Sequence, residues 1–437
     1  MTRSLVVLPA LLAALALAGS AFAAPVERGF TSLFDGKSLK GWTLAGKKGD
    51  GYVVRDGMIV CTKGGGGNLL TEKEYGDFVL RLEYRVEPGG NNGIGIRAPL
   101  TDKQIAYFGM EIQLLDDDHP KYAKLNPWQF CGSVYGVIPA KRGATKPANE
   151  WNKMEISALG RRVTVKLNGK VIVDADLNQV TEHEILASHP GMLRARGRIG
   201  LLGHNDQVEF RNLRIKEFPA PMLDNRPPEG FVALFNGQNL AGWRGLPSPP
   251  NDNPYKRQAL PLEEYAALQL EANDRMRKNW HVANGMISYV GNGFDNLQTE
   301  WDYGNFELLA DWRVEADADS GLYLRGSPQV QIWDAFGKST QTRVGSGGLF
   351  NNEKHPSKPN VRADRFTGEW NRFRILLLDD RITVFLNEEL VVYDGKRGEV
   401  LENYWNRALP LPPLGPIELQ AHQTRVQFKN LFIRELP

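Results

Sequence analysis

Two cysteines in 437 residues are too few for a disulfide scaffold. Net charge is equally sparse. Fifty-three Lys plus Arg against 51 Asp plus Glu leaves +2, so no basic field awaits a phosphate backbone or an acidic lipid surface, and nucleic acid is not an expected partner. Past the first residues, no apolar run approaches the roughly 18 needed for a transmembrane helix. There is no Cys/His zinc spacing and no nucleotide fingerprint, and the glycines at 64–67 lack the Lys-Ser/Thr of a phosphate-binding loop. What the chain does have is 45 Gly, 26 Pro and 42% apolar residues. That is the composition of a turn-rich β protein with enough apolar surface for more than one core.

Arg3 precedes an apolar run from Leu5 to Ala18, and Ala21 and Ala23 place small residues before a cleavage point. Residues 1–23 read as a secretory signal peptide, so the protein is expected to be exported, periplasmic or extracellular. Export permits a Cys61–Cys131 bridge, and the sequence leaves that pairing open.

The rest of the chain is duplicated. Phe30-Thr-Ser-Leu-Phe-Asp-Gly-Lys-Ser-Leu-Lys-Gly-Trp42 returns as Phe231-Val-Ala-Leu-Phe-Asn-Gly-Gln-Asn-Leu-Ala-Gly-Trp243, identical at 7 of 13 positions. Tyr75-Gly-Asp-Phe, Glu150-Trp-Asn and Val208-Glu-Phe-Arg-Asn-Leu recur in the same order as Tyr303-Gly-Asn-Phe, Glu369-Trp-Asn and Val426-Gln-Phe-Lys-Asn-Leu. We therefore expect one domain over residues 29–218, a Pro-rich linker over 219–229 and a second domain over 230–437. The offset between copies is 201 at the first motif, then 228, then 218 or 219. The second copy thus carries about 27 extra residues near 246–279, where 262–278 reads as a helix, and the first about 10 near 99–109. Elsewhere the period is two, as in Phe78-Val-Leu-Arg-Leu-Glu-Tyr-Arg-Val, and Leu167-Asn-Gly between two such runs is a hairpin signal. Each copy is expected to be an all-β sandwich or jelly roll.

These motifs, with Asn92-Gly-Ile-Gly-Ile-Arg97, Gly109-Met-Glu-Ile-Gln-Leu-Leu-Asp116 and Gly200-Leu-Leu-Gly-His204, resemble the 3-keto-disaccharide hydrolase family. The resemblance implies tandem concanavalin A-like jelly rolls, a carbohydrate partner, and cleavage of glycosides already oxidised to a ketone at carbon 3. A non-catalytic glycan-binding pair of lectin-like domains and a conventional glycosidase are the alternatives.

Alternation along 110–119 puts Glu111 and Gln113 on one face and Ile112 and Leu114 on the other, while Asp116 joins the polar face only through a bulge. A 3-keto sugar has an acidified hydrogen at carbon 2, so elimination needs a base, a donor or cation at the ketone oxygen, and an acid for the leaving group. Glu111 or His204 is the expected base, Arg97 or a bound divalent metal the electrophile, and Asp116 or His119 an accessory acid or orienter. Gln113, His119 and Tyr135 are expected substrate contacts. In the second copy Arg325, Gln329, Gln331, Trp333, Asp334 and His422 are the corresponding binding candidates, with His422 displaced by one residue from His204 in an ungapped alignment. Glutamine cannot act as a base, so if Glu111 is the base only the first copy is an enzyme. If the histidine works, activity is open to both. Trp42, Trp151, Trp243 and Trp370 recur and read as core. The acidic runs 116–118 and 317–319 fit oxygen ligands for calcium, or simply solvated turns.

Overall fold

A computed structural model describes residues 27–218 and 224–437. The expected signal peptide, and residues 219–223 of the expected linker, lie outside them. Each copy builds its own pair of antiparallel sheets, so the fold is two tandem β-sandwiches. In the first copy the smaller sheet comprises β1 (Trp42–Lys48), β2 (Gly66–Thr71), β3 (Asn91–Ala98), β4 (Met110–Leu115) and β5 (Arg198–His204), in the order β1-β2-β5-β3-β4. The second copy repeats it with β6 (Trp243–Gly245), β7 (Leu297–Thr299), β8 (Asp319–Tyr323), β9 (Gln329–Trp333) and β10 (Glu418–Leu419), in the order β6-β7-β10-β8-β9. Sheets of eight and nine strands complete the two sandwiches.

Period two decides which side chains meet the core. Ile94, Ile96, Ile112, Leu114, Ile199 and Leu201 are fully buried between the first copy's sheets, each contributing about 1.5–3 kcal/mol of burial. Leu322, Val330, Ile332 and Leu419 do the same in the second copy. The residues between them, Glu111 and Gln113 or Gln329 and Gln331, are turned to the outer face of the smaller sheet.

The repeated opening motif is structural. Asp35 accepts from the backbone N–H groups of Lys37 and Ser38 at 2.7 Å, and Asn236 accepts from those of Gln238 and Asn239 at 2.8 and 2.9 Å. Gly41 and Gly242 both hold φ +84°, and the buried Trp42 and Trp243 donate their indole N–H to Leu33 and Leu234 at 2.7 Å. Trp151 and Trp370 depart from the core expectation. They are half-buried and stacked under cations, Arg85 and Arg211 on one, Arg313 and Lys429 on the other.

The helix expected over 262–278 is present as Leu262–Asn279, and the same insertion carries a shorter one, Pro254–Gln258. The first copy's extra residues form a single turn, Ile105–Phe108. Cys61 and Cys131 are free and buried, so the bridge left open by the sequence is not formed. Burial pushes their thiols up to about 11 and about 12, which makes both poor nucleophiles.

The copies are packed together. Leu376, Leu378, Phe385 and Leu436 of the second copy join the first copy's apolar cluster. Beside them Glu307, fully buried, takes Arg374 at 3.0 Å and Arg434 at 2.7 Å, and Arg434 also donates to the Asn178 carbonyl. Burial pushes the Glu307 carboxyl up, but Arg161, Arg374 and Arg434 together hold it below its ordinary value.

Candidate active site

Glu111 is on β4, paired in register with Gly95 of β3, and His204 ends β5 on the far side of β3. Two strand spacings, roughly 10 Å, separate the two backbones. The Glu111 side chain crosses that distance over Gly93, where an added Cβ would stand 2.0 Å from Oε1. Its Oε1 thereby comes within 3.5 Å of His204 Nε2. The crossing requires glycine at 93, because any side chain there occupies the path of the carboxylate. Glu111 is 8% exposed at the side chain and His204 44%, so the imidazole stands between the carboxylate and solvent. The Glu111 carboxylate facing the ring raises the His204 pKa above its ordinary value by favouring the protonated imidazole, against a smaller opposing effect of burial.

The surroundings are polar on both sides of the sheet. Gln113 donates to Asn91 Oδ1 at 3.2 Å, and Asn91 N–H donates to Asp206 at 3.0 Å. On the core side Asn92 is fully buried with its amide nitrogen unpartnered, and the Tyr52 hydroxyl is buried without a partner. The Tyr135 backbone N–H donates to the Glu111 carbonyl at 2.9 Å, and its ring meets Trp128 edge-on at 5.1 Å. Trp128 was not among the sequence candidates. Nor was Gly93, although its place in Asn92-Gly-Ile-Gly-Ile-Arg97, on the same face as Glu111 by alternation, was the available signal.

Three expected members are elsewhere. Arg97 is 1% exposed and donates to the carbonyls of Arg194 at 3.3 Å and Gly76 at 3.5 Å and to Asp77 at 3.3 Å. Arg325 does likewise, donating to Gly304, Asp379 and Pro412 carbonyls and to Asn305. These two arginines, at φ +49° and +51°, lock the ends of β3 and β8 to the Tyr-Gly-Asp/Asn-Phe motif; neither meets the Glu111–His204 pair. Burial lowers the Arg97 pKa to about 10. Asp116 does not join Glu111 through a bulge: its carboxylate accepts from Gly89 N–H at 2.7 Å. His119 caps the next turn, accepting from Lys121 N–H at 3.3 Å. Asp117 accepts from Cys131 N–H and Asp317 from Lys338 N–H, so these two carboxylates serve loop geometry. Among the described residues, no group of three or more His, Cys, Asp or Glu is arranged to hold a metal ion.

In the second copy the ladder pairs Leu419 with Leu322 as it pairs Leu201 with Ile94, so His422 stands in register with His204 and the expected one-residue displacement is absent. Gln329 replaces Glu111 and crosses Gly321 in the same way, donating to Gln420 at 2.8 Å and to Gln331 at 2.9 Å. His422 Nδ1 instead faces Asp319 Oδ2 at 3.6 Å, and Gln331 donates to the other oxygen of Asp319 at 2.7 Å. Asp319 occupies the place of Asn91. Asp334 accepts from the Thr367 hydroxyl at 2.6 Å and is structural, while Trp333 is half-buried at the end of β9.

The comparisons with known proteins agree with the duplication. The profile of a family described as 3-keto-alpha-glucoside-1,2-lyase-like domain matches residues 29–216 and 230–434. A 3-keto-disaccharide hydrolase of Bacteroides thetaiotaomicron is 31% identical over 232 residues, covering 44% of this chain and 80% of that protein. Two crystal structures of a putative glycosyl hydrolase from Parabacteroides distasonis are similar. One is 27% identical with a TM-score of 0.39, covering 43% of this chain and 99% of the other. The second is 26% identical with a TM-score of 0.38, covering 44% and 94%. With matching segments in both copies, the chain belongs to the 3-keto-alpha-glucoside-1,2-lyase-like family.

Proposed function

We propose that the first copy cleaves 3-keto-glycosides by elimination followed by hydration, with Glu111 as base and His204 as its proton partner. The observation that carries this reading is the Glu111–His204 contact across Gly93. Glu111 takes the proton from carbon 2 of the sugar. The electron pair of the broken C2–H bond forms the C1=C2 double bond by way of the enolate, and the C1–O bond breaks. The imidazolium of His204 gives its proton to the departing oxygen, and water then adds at C1 of the enone. A raised His204 pKa suits that acid role, because the ring holds its proton closer to neutral pH. A two-carboxylate retaining mechanism is less supported. It needs carboxyl groups about 5–5.5 Å apart, and Asp116, the expected partner of Glu111, is bonded to Gly89 instead.

The signal-peptide pattern of residues 1–23 supports action outside the cytoplasm. No described helix is long and apolar enough to cross a membrane. Incubation of the purified chain with a 3-keto-disaccharide and with the unoxidised disaccharide tests the reading. Release of the aglycone from the keto sugar alone is expected. Equal cleavage of both points to a conventional glycosidase, and binding without cleavage to a lectin-like protein.

A further inference from the structure

The outer face of the smaller sheet changes character between the copies at one place. In the first copy Leu70, Ala98, Ile105 and Leu202 form an apolar plug there, with Ile105 pressed over Gly95 so closely that an added Cβ would meet it at 3.2 Å. The register equivalents of Leu70, Gly95, Gly200 and Leu202 in the second copy are Gln298, Tyr323, Glu418 and Gln420. The segment carrying Ile105 has no counterpart, and the helical insertion lies over this face instead. Between insertion and sheet is a cavity of about 420 Å³, within the usual size of small-molecule sites.

Its walls are unsatisfied. Gln298 is 1% exposed, and its Oε1 is buried with no hydrogen-bond partner; Arg244 Nε is also buried and unpartnered. Both residues line the cavity. An orphaned acceptor and an orphaned donor in one cavity match a group that both gives and takes hydrogen bonds, which is a hydroxyl. Tyr255 and Tyr265 add aromatic side chains to the lining, the residue type that packs against the C–H bonds of a sugar. Three guanidinium groups on the lining, Arg244, Arg257 and Arg325, are set against Asp302 beside them and the Glu418 and Asp252 carboxyls that act on Arg257, and Arg325 is already bonded to three carbonyls and Asn305, so the site carries little net charge toward a ligand. Burial pushes the Glu418 carboxyl up to about 7.

We infer that this cavity is a second binding site, particular to the second copy, for a neutral hydroxylated ring the size of one pyranose. It stands independently of the reaction proposed for Glu111 and His204. Isothermal titration of the full chain with methyl β-D-glucopyranoside, and separately with D-glucuronate, tests it. Saturable binding of the neutral glycoside is expected. It should weaken at least tenfold in Gln298→Leu, which removes the orphaned acceptor, and in Leu414→Trp. Leu414 is 61% exposed at the rim, so the latter change closes the mouth without touching the core. Binding should persist in Glu111→Gln, and turnover of a 3-keto-disaccharide should stay within twofold of wild type in Leu414→Trp. No saturable heat in the wild type, binding unchanged by both cavity variants, or binding lost in Glu111→Gln each overturns the inference. Tighter binding of glucuronate overturns the neutral class.

Discussion

The two copies keep the same five smaller-sheet strands in the same order, and each retains a glycine over which a β4 or β9 side chain crosses toward the next strand but one. They differ in which residue is the carboxylate. In the first, Glu111 makes the crossing and Asn91 lies beside it; in the second, Gln329 crosses and Asp319 replaces Asn91. Each histidine therefore faces an acid, His204 through Nε2 at 3.5 Å and His422 through Nδ1 at 3.6 Å, but from different strands. A duplicated scaffold preserves the path and the imidazole while moving the charge, and moving the charge relocates any proton transfer. Burial raises the Asp319 carboxyl, with His422 pulling the other way, whereas in the first copy it is the histidine that is raised.

Glu111→Gln breaks this difference most directly, since it gives the first copy the second copy's residue. Turnover of a 3-keto-disaccharide is expected to fall roughly 10²–10⁴-fold, the usual contribution of a general base. Asp319→Asn should leave turnover within a few-fold of wild type. If Asp319→Asn is the more damaging of the two, the second copy is the enzyme.

The larger sheets differ too. Glu307 occupies the place of the half-buried Val79 and anchors Arg374 and Arg434 at the contact between copies. Glu307→Leu leaves two buried guanidinium groups without their acid, so urea unfolding should show a loss of about 3–5 kcal/mol. Val79→Ala, on the equivalent strand, should cost well under half of that.

Glu418 is an acid where the first copy has Gly200. Its carboxyl is pushed by burial from 4.5 to about 7, with Arg257 and Arg244 opposing the shift and Asp252 adding to it. A carboxyl whose folded pKa is raised stabilises the fold fully below the unfolded pKa and loses that stability as pH rises through the folded value. Between pH 4.5 and 7 the wild type should therefore lose on the order of 3 kcal/mol relative to Glu418→Gln, measured by parallel denaturant titrations.

How much of this was legible beforehand depends on whether local pattern or long-range placement decides the matter. The duplication, the outward face shared by Glu111 and Gln113 and the inserted helix all follow from spacing along the chain, and all are present. Arg97 and Arg325 show the limit. They recur in both copies as a functional residue would, yet each is buried and bonded to backbone carbonyls from distant segments, and no local pattern reports such partners. Asp116 likewise looked eligible until the Gly89 turn came within 2.7 Å of it. The Glu418 site was readable in principle from Gly200-Leu-Leu-Gly-His204 against Glu418-Leu-Gln-Ala-His422, once the two histidines are in register.

Gly93→Ala separates position from chemistry. The three atoms nearest the added Cβ all belong to the Glu111 side chain, Oε1 at 2.0 Å, Cδ at 2.6 Å and Cγ at 2.7 Å, so the carboxylate is displaced while the sheet is expected to be retained. A misplacement of about 1 Å costs on the order of 10²-fold in turnover, and the melting temperature should move little. Loss of fold in this variant would contradict the open path seen between β4 and β5.

The smallest effect is spectroscopic and tests the pair itself. The Glu111 carboxylate, as acceptor toward the ring N–H, is the chief cause raising the His204 pKa, and desolvation acts in the opposite direction. In Glu111→Gln the raising cause is gone and the opposing one remains, so the His204 imidazole should titrate at lower pH than in the wild type. His422 faces Asp319 and is untouched by that change, so its ring serves as an internal reference in the same NMR titration. The wild-type fall in activity with rising pH, if it tracks loss of the His204 proton, should coincide with the His204 titration. A His204 signal that does not move in Glu111→Gln would mean that the 3.5 Å approach carries no coupling, and the pairing of Glu111 with His204 as base and acid would fall with it.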